Sequence, residues 1–221
     1  MSPSSAQMRS RGHVVLLGDS VFDNAAYTKG GPSVSTQLAR QLPDWRVTML
    51  ALDGATTQGI PRQVAALPKD ATHLVLSVGG NDALGHTGLL DTPVRSSAQA
   101  FSMLAEAVLN FERAYGQALR SCLATRLPLV ICTVYHGNFQ DAAFQRRAEM
   151  ALSAFNNAIL REATLNNLRA IDLRLVCDRP EDYANPIEPS SIGGDKIVRA
   201  IAQAVESPPH KGPGAHVIGG G

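Results

Sequence analysis

Five short apolar runs punctuate the chain at residues 14–17, 45–52, 72–78, 128–135 and 169–173, and helical patterns fill the spaces between them. Each run has the length and the aliphatic, β-branched content of a strand, bounded by Gly, Asp, Asn or Pro. Strand alternating with helix implies a parallel sheet with helices on both faces. Two helical stretches carry a clear stripe. Phe101, Leu104, Val108, Phe111, Tyr115 and Leu119 recur at three- and four-residue steps in 97–120, and Phe144, Ala148, Ala151, Phe155, Ala158 and Ile159 do so in 141–165. Such stripes are expected to face the core rather than a cofactor.

The chain has 221 residues, 44% of them hydrophobic and 18% charged, which is enough to bury one sizeable core. The reading is a single domain over 12–206, preceded by a flexible N-terminus (1–11). Residues 207–221 contain three prolines and five glycines and are expected to form a disordered tail without helix or strand. A net charge of +1, with no Lys/Arg block, offers no footprint for nucleic acid or a membrane surface. The start of the chain is polar and no segment has the length of a membrane span, so a cytoplasmic protein is expected. Cys122, Cys132 and Cys177 are odd in number and widely spaced, as buried free thiols would be. No His/Cys/Glu set has metal-ligand spacing. Neither Gly-x-Gly-x-x-Gly after the first run nor a Gly-Lys-Ser/Thr loop occurs, so no metal or cofactor is expected.

The chemistry-bearing residues follow the runs. Gly18-Asp19-Ser20-Val21-Phe22-Asp23-Asn24 comes directly after the first, Gly54 after the second, and Gly79-Gly80-Asn81-Asp82 after the third. In a parallel sheet these loops meet at one end, where a serine on a rigid turn can serve as a nucleophile. Taken together the three segments resemble the first, second and third blocks of the SGNH hydrolases, the GDSL esterase/lipase family, and the resemblance runs from about Val14 to Val205. It implies a flavodoxin-like three-layer α/β/α fold with a five-stranded parallel sheet. It also implies a small-molecule ester as substrate, Ser20 as nucleophile, and an oxyanion hole made by the N–H groups of Ser20 and Gly54 and the side-chain amide of Asn81. Gly at 54 suits a backbone that approaches its substrate closely. Asp23 and Asn24 are expected to hold the Ser20 loop through their short polar side chains.

The fifth block departs from the family. Where the family has Asp-x-x-His ahead of the last helix, this chain has Asn185-Pro186-Ile187-Glu188, so Glu188 stands at the histidine position and Asn185 at the aspartate position. The pair is chemically coherent, because an amide can orient a carboxylate without the like-charge penalty of a second acid. Glu188 is then the expected acceptor of the Ser20 proton, provided burial raises its basicity. His86, after the third block, and His136, after the fourth run, are alternative bases on the same face. Two readings follow: a serine esterase working through an acyl-enzyme on Ser20, or a degenerate module that binds an acyl or acetylated ligand without cleaving it.

Overall fold

The computed structural model describes residues 10–208 and 214–220. Six strands, β1 (Gly12–Gly18), β2 (Trp45–Met49), β3 (His73–Ser77), β4 (Leu129–Cys132), β5 (Arg169–Ile171) and β6 (His216–Ile218), form one sheet in the order β2-β1-β3-β4-β5-β6. Every pairing is parallel. The helices are α1 (Val34–Gln41), α2 (Ile60–Ala65), α3 (Gly80–Leu84), α4 (Ser97–Leu123), α5 (Ala142–Leu165), α6 (Leu173–Val176) and α7 (Ser191–Glu206). Five of them start on side-chain caps: Ser33, Ser96, Asp141, Asp172 and Ser190 each accept from N–H groups of the first turn.

The sheet separates two apolar cores, as its pleat requires. Val14 and Leu16 of β1 pack with Leu38 of α1 and Ile197 and Ile201 of α7. Val15 and Leu17 point the other way, into Phe111, Tyr115 and Leu119 of α4 and Phe155 and Ile159 of α5. Each fully buried side chain of this kind stabilises the fold by roughly 1.5–3 kcal/mol relative to exposure. The α4 stripe starts later than its sequence pattern: Phe101 is 69% exposed, and the buried face of the helix begins at Ala107.

Two buried amides terminate the central strands. Gln63 accepts from the Gly18 N–H at 2.7 Å and donates to the Gly18 carbonyl at 2.8 Å. Asn156 makes the same pair of bonds to Val134, both at 2.8 Å. Each completes the hydrogen bonding of a backbone unit where its strand runs out, as a buried peptide group demands.

The sheet has six strands rather than five, because part of the C-terminal tail does form a strand. His216–Ile218 adds to β5, with Asp172 N–H donating to the Ile218 carbonyl at 2.8 Å and Ile218 only 5% exposed. The Pro/Gly content gave no sign of it, since the row of backbone groups on β5 supplies the pairing and Ile218 needs only one apolar niche. The N-terminal segment lies almost wholly outside the described residues, as do 209–213 of the tail. Arg11 is described, and its N–H donates to the Asp44 carbonyl at 2.7 Å. No helix among the described residues is long and apolar enough to cross a membrane.

Candidate active site

The C-terminal ends of β1, β3 and β4 open onto a cavity of about 110 Å³. Ser20, Asn81, His86, His136 and Glu188 all line it. Most of the remaining wall is apolar: Leu84 and Leu89 from the α3 region, Leu104 from α4, and Leu152 and Phe155 from α5. Of the α5 stripe, Ala148 and Ala151 line the cavity, and Phe155 serves both the cavity and the core.

Ser20 sits in the turn that follows β1 and is 7% exposed. Its turn is closed by Phe22 and Asp23 N–H groups donating to the Asp19 carbonyl, both at 3.1 Å. The Ser20 N–H bonds to no described residue. Asp19, which the sequence reading passed over, is 2% exposed and lines the cavity. Its Oδ1 accepts from the Val21 N–H at 3.1 Å. Burial pushes the Asp19 carboxyl up to about 7; the Val21 N–H opposes this, while Glu188 and Asp82 add to it.

Glu188 is 5% exposed, and the Ser20 hydroxyl lies close enough to its carboxylate to act on its charge. Burial raises the Glu188 pKa above the ordinary glutamate range, the Ser20 hydroxyl opposes, and Asp53 adds to the rise. Glu188 Oε2 is buried without a hydrogen-bond partner among the described residues.

The loop that carries Glu188 is tied down on every side. Tyr135 donates to the Ile187 carbonyl at 2.7 Å, the Asn138 N–H to the Pro186 carbonyl at 2.8 Å, and Asn24 Nδ2 to the Pro189 carbonyl at 3.3 Å. Asn24 is fully buried and also accepts from the Val34 N–H at 2.9 Å, so it links the Ser20 loop to the Glu188 loop. Below the loop, Lys196 of α7 bonds at 2.8 Å to Asp182, which has no exposure at all. Gly193 fits because a Cβ there would lie 2.2 Å from the Asp182 carbonyl oxygen.

Asn185 acts differently from its expected role. Its Oδ1 accepts from the N–H groups of Ile187 and Glu188, each at 2.9 Å, and the residue is exposed. It orients Glu188 through the backbone; no bond joins it to the carboxylate among the described residues. The reason lies in local geometry, since an Asn two or three residues ahead of an N–H closes an Asx turn more readily than it reaches along the chain.

Asn81 and Asp82 at the start of α3 both reach the loop after β2. Asn81 Nδ2 donates to the Ala55 carbonyl at 2.9 Å, while Asp82 accepts from the Thr57 N–H at 3.0 Å and the Thr57 hydroxyl at 2.6 Å. Gly54 is exposed, lies off the cavity lining, and has an N–H that bonds to no described residue. A Cβ at Gly54 would meet nothing within 4 Å, so close approach is not why glycine stands there; its φ of +75° is.

The two histidines share the cavity but neither bonds to Ser20 or Glu188; His86 packs its ring 6.1 Å from that of Phe155. The three cysteines are free and buried. No group of three or more potential metal ligands occurs among the described residues.

A serine after β1 of a parallel three-layer sheet, flanked by glycine- and asparagine-bearing loops after β2 and β3, defines the SGNH class of hydrolases. A model of the GDSL-like lipase/acylhydrolase family matches residues 16–194, and the chain belongs to that family. Among solved structures it is similar to an extracellular lipase from Streptomyces rimosus (15% identity, TM-score 0.64) and a phospholipase A1 from Streptomyces albidoflavus (16%, 0.65). An acetyl xylan esterase is also similar (20%, 0.62). Each match covers 87% of this chain and 99% of the other. At these identities the likeness is one of fold. No curated protein matches the chain.

Proposed function

We propose that this hydrolase cleaves carboxylic esters through an acyl-enzyme on Ser20, with Glu188 as the base. The observation that carries the reading is the Ser20 hydroxyl facing a buried carboxylate inside a largely apolar cavity. Attack forms the bond from Ser20 Oγ to the ester carbon while the hydroxyl proton passes to Glu188. Collapse breaks the ester C–O bond and returns that proton to the departing alcohol; water then repeats the cycle on the acyl-enzyme. The unclaimed N–H of Ser20 and the amide of Asn81 are the donors that line the cavity and are available to the oxyanion; the Gly54 N–H is also unclaimed but lies off that lining. An ordinary glutamate is a weak base at neutral pH, and burial of Glu188 works against that weakness. The acyl group occupies the cavity between α3, α4 and α5.

The test is turnover of a p-nitrophenyl ester series alongside labelling by a fluorophosphonate. Labelling at Ser20, and loss of both signals in Ser20→Ala, is the expected result. Silence of the wild type in both assays across pH would instead favour a module that binds acyl ligands without cleaving them.

A further inference from the structure

The cavity holds a second acid besides Glu188. Asp19 is 2% exposed and Glu188 5%; both line the cavity, and Ser20 adjoins the one in sequence and faces the other in space. Asp19 accepts from the Val21 N–H on its own turn and lies against Gly80 of α3, and it is close enough to Asp82 of α3, Cys132 of β4, Tyr135 beyond β4 and Glu188 on the fifth-block loop for their charges to act on one another. His86 and His136 line the same space without bonding to either acid. No Lys or Arg pairs with Asp19 or Glu188 among the described residues. Two buried carboxylates with no cation between them do not both ionise easily.

Resting on the esterase reading above, we infer that Asp19 works as the protonated member of a mixed pair: Ser20 turns over while Glu188 is ionised and Asp19 holds its proton. When Ser20 attacks, negative charge leaves Glu188, which takes the hydroxyl proton, and appears on the oxyanion beside Asn81. Asp19 Oδ2 lies 3.8 Å from where a Cβ on Gly80, the residue before Asn81, would sit. An ionised Asp19 therefore places like charge next to the forming oxyanion, whereas a protonated one does not. The Asp19 proton itself stays where it is throughout. The buried Asp19 carboxyl titrating at about 7 agrees with this assignment.

The experiment is the pH dependence of kcat/KM for a p-nitrophenyl ester, and of the fluorophosphonate labelling rate, between about pH 5 and 9. In the wild type both should fall about tenfold per pH unit above a midpoint near neutral, as for loss of one essential proton. Asp19→Asn keeps the shape and the acceptor for the Val21 N–H and cannot ionise, so it should remove that alkaline decline. His86→Ala with His136→Ala should leave the midpoint in place whatever it does to the rate, and that comparison decides the matter if Asp19→Asn does not fold. The inference is overturned if the wild type shows no alkaline decline, if Asp19→Asn retains it, or if the histidine variants abolish it. Failure of the esterase reading would look different: the wild type would be silent in both assays at every pH, or turnover and labelling would survive Ser20→Ala.

Discussion

Tyr135 donates its phenol to the carbonyl of Ile187 at 2.7 Å, and Ile187 immediately precedes Glu188. The segment after β4 thus fixes the height at which the proposed base meets Ser20. Tyr135→Phe keeps the ring packed edge-on against Tyr183, with centroids 5.3 Å apart, and deletes only the bond. The expected loss of stability is about 1 kcal/mol. Ester turnover should lose kcat more than KM, which steady-state kinetics and thermal unfolding read together.

Glu188→Gln removes the proton acceptor while leaving the backbone bonds from Asn185 in place. The expected drop in kcat is on the order of 10²–10⁴-fold with KM little changed. Because Glu188 Oε2 is buried without a partner, the amide should fold at least as stably as the acid. Near-normal turnover in Glu188→Gln would remove Glu188 from the mechanism. In the wild type the Glu188 pKa is raised, so the accepting form is lost as pH falls through that raised value. The acid limb of activity should therefore lie above the range of an ordinary glutamate.

Asn81→Ala takes away the side-chain donor available to the oxyanion and the bond to the Ala55 carbonyl. Removing one such donor typically costs 10²–10³-fold in kcat, about 2.7–4 kcal/mol of transition-state stabilisation. Thr57→Ala should loosen the same loop through Asp82 without deleting a donor at Ser20, and should cost far less. A similar loss in both variants would show that Asn81 acts through loop position alone.

Asp19 also predicts a stability profile independent of any substrate. Its carboxyl is raised from 3.8 to about 7 in the folded chain, so folding favours the protonated form. Its stabilising share is present at low pH and is lost as pH rises from about 4 through about 7, amounting at most to about 4 kcal/mol at 1.36 kcal/mol per pKa unit. Urea unfolding at pH 5 and pH 8 should show this decline in the wild type, and a smaller one in Asp19→Asn.

Lys196→Met should be among the most damaging changes outside the cavity. It strands the fully buried Asp182 without its cation, a change that typically costs 3–5 kcal/mol. Chemical denaturation measures the loss, and Lys196→Met with Asp182→Leu should recover part of it.

Strand–helix alternation announced the parallel sheet, and the serine, glycine and asparagine behind three successive runs marked the end of the sheet that matters. Those signals are local, which is why they were legible. Asp19 was visible as a letter, but its burial depends on segments distant in sequence, Gly80 of α3 and the fifth-block loop among them, closing over the end of β1. The roles of Gln63 and Asn156 have no local signature, because they exist only once the ends of β1 and β4 reach those amides. For Asn185 the residue type was informative and the partner was not, because an exposed Asx turn and a buried orienting bond use the same amide. β6 left no trace in the Pro/Gly-rich tail, since its partner β5 lies more than forty residues upstream.

That last strand has a practical consequence. With His216–Ile218 in place, the backbone groups of Arg169–Ile171 are paired on both sides. A version of the protein cut after residue 208 would leave their outer side bare, next to the apolar niche vacated by Ile218. Open strand backbone beside exposed apolar surface recruits other chains. Such a version should fold around Ser20 as before yet elute as larger species in size-exclusion chromatography. A fusion partner or affinity handle is therefore safer at the start of the chain than in place of its end.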